Sequence, residues 1–115
     1  MPSSEFPVSI PALHQMKRAR QKIVGVVAWD FQVAQIVDRA GVEIVSVGDS
    51  VGTNLWGHSN PLAVTMDEMI VVCRAVRRGV RRAIVSCDMV TVRPELTAKI
   101  RKLGVPAAVL LCTIC

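Results

Sequence analysis

Asp49 and Asp88 are the residues of this 115-residue chain whose type and position most suggest chemistry. Asp88 directly follows, and Asp49 follows after Gly48, a short apolar-rich run, at 83–87 and 42–47 respectively, with the composition of a buried strand. Neighbouring strands lie about 4.8 Å apart, so carboxylates at two such ends would project toward a common point. Like charges that close repel unless a proton or cation lies between them. One or two carboxylates, completed by substrate and water, are what Mg2+ prefers. The alternative is that each aspartate caps the loop or helix after it.

Other residues near these ends carry weaker signals. Asp30 follows the first apolar run and directly precedes a helical pattern, which suits N-capping. Ser50, beside Asp49, could hydrogen-bond a substrate carboxylate or satisfy the turn. His58 lies in a polar loop from which it could reach over the strand ends or stay solvated, and His14 carries no signal. Gly48-Asp49-Ser50 also opens one class of serine esterases, but such enzymes need a late histidine base, and no histidine follows residue 58. No Gly-Lys-Ser/Thr ends the segment, which excludes a Walker loop.

To position these groups, the chain must alternate strands and helices. Residues 23–28 read as a strand, and 31–40 as a helix with Val33, Ala34, Val37 and Ala40 on one face, stopped by Gly41. A second strand at 42–47 leads into a loop at 48–64 rich in Gly, Ser, Asn and Pro. Thr65 and Glu68 are spaced as a capping box, opening a helix with apolar face Met69, Ile70, Cys73 and Val76 and stop Gly79. A third strand spans 83–87, and 94–103 and 105–111 suggest a further helix and strand. Continuously apolar strands imply a parallel sheet buried on both faces. Their C-terminal ends then share the edge where α/β proteins place ligands.

Composition narrows the class. Apolar residues make up 51%, which excludes a disordered tail. The longest uncharged apolar-rich stretch, at 103–115, has 13 residues, below the roughly 18 of a membrane span. Residues 1–22 form a basic segment without the apolar core of a signal peptide, so a cytoplasmic location is expected. The net charge of +5 is concentrated in Arg74, Arg77, Arg78, Arg81 and Arg82. With no Tyr, two Phe and two Trp, bases have little to stack on, and a solvated helix end is favoured over a nucleic-acid site. Cys73 and Cys87 lie in apolar segments and read as small hydrophobes rather than as a disulfide framework. Cys112 and Cys115 form a C-x-x-C without a second pair or a nearby histidine.

Val47-Gly48-Asp49-Ser50-Val51-Gly52, Gly57-His58 and Pro61-Leu62-Ala63-Val64-Thr65-Met66-Asp67-Glu68-Met69 resemble the ketopantoate hydroxymethyltransferase family. Ala28-Trp29-Asp30-Phe31 and Ala75-Val76-Arg77-Arg78-Gly79 are similar to that family as well, from about residue 8 to Asp88. The resemblance implies a (β/α)8 barrel, normally about 250 residues, of which 23–115 would supply about half. It implies transfer of a hydroxymethyl group from 5,10-methylenetetrahydrofolate to 3-methyl-2-oxobutanoate, giving 2-dehydropantoate through a Mg2+-stabilised enolate. On that resemblance Asp49 and Asp88 are metal ligands, and Asp49, Ser50 and Asp88 contact the 2-oxo acid.

The segment 89–115 departs from the family pattern, and the family's lysine, third acidic ligand and glutamate base have no convincing counterpart there. The general base is therefore unassigned. A half-barrel leaves sheet edges unpaired, which implies a homo-oligomer, association with another chain, or low stability. The alternative function is a non-catalytic remnant serving as an assembly module.

Overall fold

The computed structural model describes residues 6–60 and 63–88. The helix and strand read at 94–103 and 105–111, and the C-x-x-C of Cys112 and Cys115, lie outside the described residues. In chain order the elements are α1 (Ile10–Arg18), β1 (Gly25–Val27), α2 (Phe31–Arg39), β2 (Ile44–Val47), α3 (Val51–Asn54), α4 (Met66–Gly79) and β3 (Ile84–Cys87). The strands form one parallel sheet in the order β1-β2-β3. Ile44 pairs with Gly25 and Ile84, and Ser46 with Val27 and Ser86. This is a small parallel α/β unit, consistent with part of a β/α barrel.

Helix α2 begins at Asp30, whose Oδ1 accepts the Val33 amide at 2.8 Å. Gly41, just past its end, adopts φ +91°, a left-handed conformation costly for other residues. Helix α4 begins with the expected capping box: Thr65 Oγ1 accepts the Glu68 amide, and Glu68 accepts the Thr65 amide. Its buried face is Met69, Val72, Cys73 and Val76; Ile70, expected on that face, is half-buried.

Gly79 does more than end α4. A Cβ there would lie 2.6 Å from the Phe31 carbonyl oxygen and 3.1 Å from Ala34 Cβ. Only glycine lets the end of α4 seat against the first turns of α2.

Helices α2 and α4 pack together and on the sheet. Val45, Val47, Val85 and Cys87 are buried, whereas Ile44, Ser46, Ile84 and Ser86 are half-buried. The expectation of burial on both faces is therefore corrected. Helices cover one face among the described residues, and side chains alternate across a strand with period two. Strand β1 is shorter than the 23–28 run, and Ile23, Val24 and Val27 are 38%, 48% and 52% exposed.

Two helices went unread in the sequence. Helix α1 lies inside the basic segment 1–22, opened by Ser9, whose hydroxyl accepts the Ala12 amide. Its apolar residues Ile10, Leu13 and Met16 recur at three-residue spacing, but none of its residues is buried. Helix α3 is a single turn within the loop at 48–64.

The N-terminal ends of the strands are held by a buried polar network. Asp38 accepts the backbone N–H groups of Arg81, Arg82 and Ala83 at 2.8–3.3 Å. The Arg82 guanidinium donates to the carbonyls of Gly41 and Val42, both at 3.1 Å. Glu43 accepts the Val24 amide at 2.9 Å and lies 3.9 Å from Arg82. Arg77 caps α4 by donating to the Val80 carbonyl at 2.9 Å. Two arginines of the basic cluster are thus committed to the fold itself.

Cys73 and Cys87 are joined as a disulfide between α4 and β3, with Cα atoms 6.8 Å apart. The reading of both as free small hydrophobes is corrected. They lie fourteen positions apart in sequence, and the turn from α4 into β3 brings them together.

Candidate metal and substrate site at the strand ends

Asp49 lies two residues past the end of β2 and Asp88 one residue past the end of the adjacent β3, whose last residues Val47 and Cys87 are paired. Parallel pairing carries the ladder to the edge, where the Asp88 amide donates to the Val47 carbonyl at 2.9 Å. The Asp88 side chain then turns back across the edge. Its Oδ2 accepts the Asp49 backbone N–H at 3.2 Å.

Gly48 leaves room for this contact. A Cβ on Gly48 would lie 3.5 Å from Asp88 Oδ2 and 3.5 Å from Ser50 Oγ, so the missing side chain opens the space that both polar groups border. Ser50 precedes α3 without capping it through its side chain. Its carbonyl instead accepts the Thr53 hydroxyl at 3.0 Å. Behind the site, Val51 and Val47 are fully buried and anchor the turn to the core. The structure therefore brings Asp49, Ser50 and Asp88 to one edge.

His58 is elsewhere. Its Nε2 lies 2.9 and 3.0 Å from the two carboxylate oxygens of Glu68 in the first turn of α4, rather than over the strand ends. Its backbone N–H donates to the Gly52 carbonyl at 2.7 Å, closing the loop that follows α3. The Thr65 amide, first, and the His58 ring, second, hold the Glu68 carboxyl below its ordinary range. Asp30 is spent on capping α2. The one sequence signal for the His58 contact was Glu68, already placed at the α4 terminus by the capping box.

Sequence reasoning also missed Ser46 and Ser86. They are direct partners across β2 and β3, and their hydroxyls meet at 2.7 Å on the face that carries no helix among the described residues. By strand alternation Ser86 shares a face with Asp88.

Two carboxylates on one edge suit a small hard cation that keeps several waters. Among the described residues no group of three or more His, Cys, Asp or Glu side chains could hold an ion. Asp49 and Asp88 would thus need donors from substrate or water. Nor is any helix among the described residues long and apolar enough to cross a membrane.

Parallel strands joined by helices define a β/α unit with Asp49 and Asp88 at the carboxyl edge of its sheet, the edge at which α/β proteins generally bind ligands. The sequence profile of the ketopantoate hydroxymethyltransferase family matches residues 7–101, and the chain belongs to that family. The match runs past Asp88. A 3-methyl-2-oxobutanoate hydroxymethyltransferase of Cyanothece sp. is 46% identical over 82 residues, covering 71% of this chain and 31% of the relative. That of Rippkaea orientalis is 38% identical over 99 residues, covering 84% of this chain and 38% of the relative. That of Magnetococcus marinus is 48% identical over 82 residues, covering 71% and 31%. The chain spans about a third of the length of these relatives.

Proposed function

We propose that the chain supplies the first β/α units of a (β/α)8 ketopantoate hydroxymethyltransferase. In this reading the protein transfers a hydroxymethyl group from 5,10-methylenetetrahydrofolate to 3-methyl-2-oxobutanoate, giving 2-dehydropantoate. The observation that carries it is the Asp49–Asp88 contact at adjacent strand ends, inside the segment matched to the family.

Asp49 and Asp88 would hold Mg2+, which when bound supplies Lewis-acid polarisation of the keto and carboxylate oxygens of the substrate. Asp88 is kept at the edge by the Asp49 N–H, and Gly48 leaves space beside it. The Ser50 hydroxyl borders that space and would donate to the substrate carboxylate. The base that removes the C3 proton is left to residues beyond the described ones or to another chain. Deuterium exchange at C3 of 3-methyl-2-oxobutanoate in D2O tests the proposal. Exchange that requires Mg2+ and is lost in Asp88→Asn supports it, and Mg2+-independent exchange or none argues against it.

A second reading is favoured by one observation. The sheet face bearing Ile44 and Ile84 carries no helix among the described residues. A non-catalytic module that assembles with further copies or with another chain would cover that face. It would show no C3 exchange.

A further inference from the structure

We propose that Cys73 and Cys87 are a redox-responsive staple that fixes Asp88 at the strand end. Cys73 lies in the middle of α4 and Cys87 is the last residue of β3, directly before Asp88. Their Cα separation of 6.8 Å is at the upper end of the range a disulfide spans. The bond therefore ties the helix covering the sheet to the one strand whose end turns its side chain back to Asp49.

The reduced form has a different contact available. Cys87 Sγ lies 3.7 Å from the Asp88 carbonyl oxygen, a distance at which a thiol S–H donates weakly. A disulfide sulfur has no proton to give. Oxidation thus exchanges a local tether on the Asp88 main chain for a covalent tether to α4. The reaction is balanced by a low-molecular-weight disulfide: two thiols lose two protons and two electrons, one S–S bond forms within the chain, and one disulfide becomes two thiols.

Burial sets how the pair responds. Cys73 is fully buried and Cys87 is 3% exposed, so a soluble disulfide has no direct approach to either sulfur in the folded unit. Exchange must pass through folding or through local opening of α4 from the sheet. The staple records the redox poise under which the chain folded, rather than following it rapidly. It does so whether or not the strand ends hold a metal ion.

The test uses the full chain refolded in glutathione buffers of graded ratio, with free thiols alkylated and the protein digested by trypsin. Cleavage at Arg74, Arg77, Arg78, Arg81 and Arg82 puts Cys73 and Cys87 in different peptides, joined only through a disulfide. The joined peptide should dominate under oxidising ratios and vanish under reducing ones. Amide hydrogen exchange at Asp49 and Asp88 should be at least about tenfold slower in the oxidised chain. Cys73→Val, which keeps apolar packing, should remove that redox dependence. Pairing of Cys87 with Cys112 or Cys115, statistical pairing among all four cysteines, or equal exchange in both states would overturn the proposal. So would a redox dependence that survives in Cys73→Val.

Discussion

The backbone N–H of Asp49 donates to the carboxylate of Asp88 across 3.2 Å, joining residues 39 apart in sequence at the ends of adjacent parallel strands. The contact uses one carboxylate oxygen and leaves the remaining lone pairs of Asp88 available. An amide can replace a carboxylate as acceptor here. Asp88→Asn should therefore keep the fold, with a urea midpoint close to that of the parent chain, while losing the negative charge a cation needs.

At the opposite end of the sheet the requirement for charge is structural. Asp38 is 7% exposed and satisfies three backbone N–H groups of residues 81–83. Asp38→Ala would leave those donors unpaired in a buried turn, at a cost of about 2–4 kcal/mol. Urea denaturation should show that loss with no change in slope.

Gly79→Ala tests close packing against helix propensity. Alanine is the better helix former by about 1 kcal/mol, yet its Cβ would press on the Phe31 carbonyl. Since backbone cannot yield as a flexible side chain does, a net loss of about 1–3 kcal/mol is expected. Gly25→Ala is the control, because its added Cβ meets Ile44 Cβ at an ordinary 3.7 Å.

The His58–Glu68 contact has a pH signature. Glu68 titrates below its ordinary value of 4.5 in the folded chain, through the Thr65 amide first and His58 second. A carboxyl depressed on folding contributes stability above its unfolded value and loses it as pH falls through the folded value. The melting temperature should thus fall on acidification below about 4.5, and Glu68→Gln should flatten that part of the profile.

Much of this arrangement is legible in residue order. The cap at Asp30, the capping box at Thr65 and Glu68, and the left-handed Gly41 are local devices with local signatures. Because β2 and β3 are consecutive strands joined by a helix, the placement of residues 49 and 88 at neighbouring strand ends follows from connectivity. What sequence hides is set by tertiary context. The half-buried face carries Ser46 and Ser86, polar interruptions that signalled a less covered face, whereas Ile44 and Ile84 beside them look the same whether that face is covered or not. Helix α1 buries none of its residues, and its short stripe of Ile10, Leu13 and Met16 sits within a basic stretch. The Cys73–Cys87 and His58–Glu68 contacts join residues whose separate environments each had a plainer explanation.

Cation binding at the strand ends is the claim on which the functional reading depends. Isothermal titration of Mg2+ into the full chain with 3-methyl-2-oxobutanoate present tests it most directly. The account predicts one Mg2+ site that is weakened at least about tenfold, some 1.4 kcal/mol, in Asp49→Asn and in Asp88→Asn, with urea midpoints unchanged. Equal Mg2+ binding by the parent chain and both variants, or no binding by a folded parent chain, would contradict it.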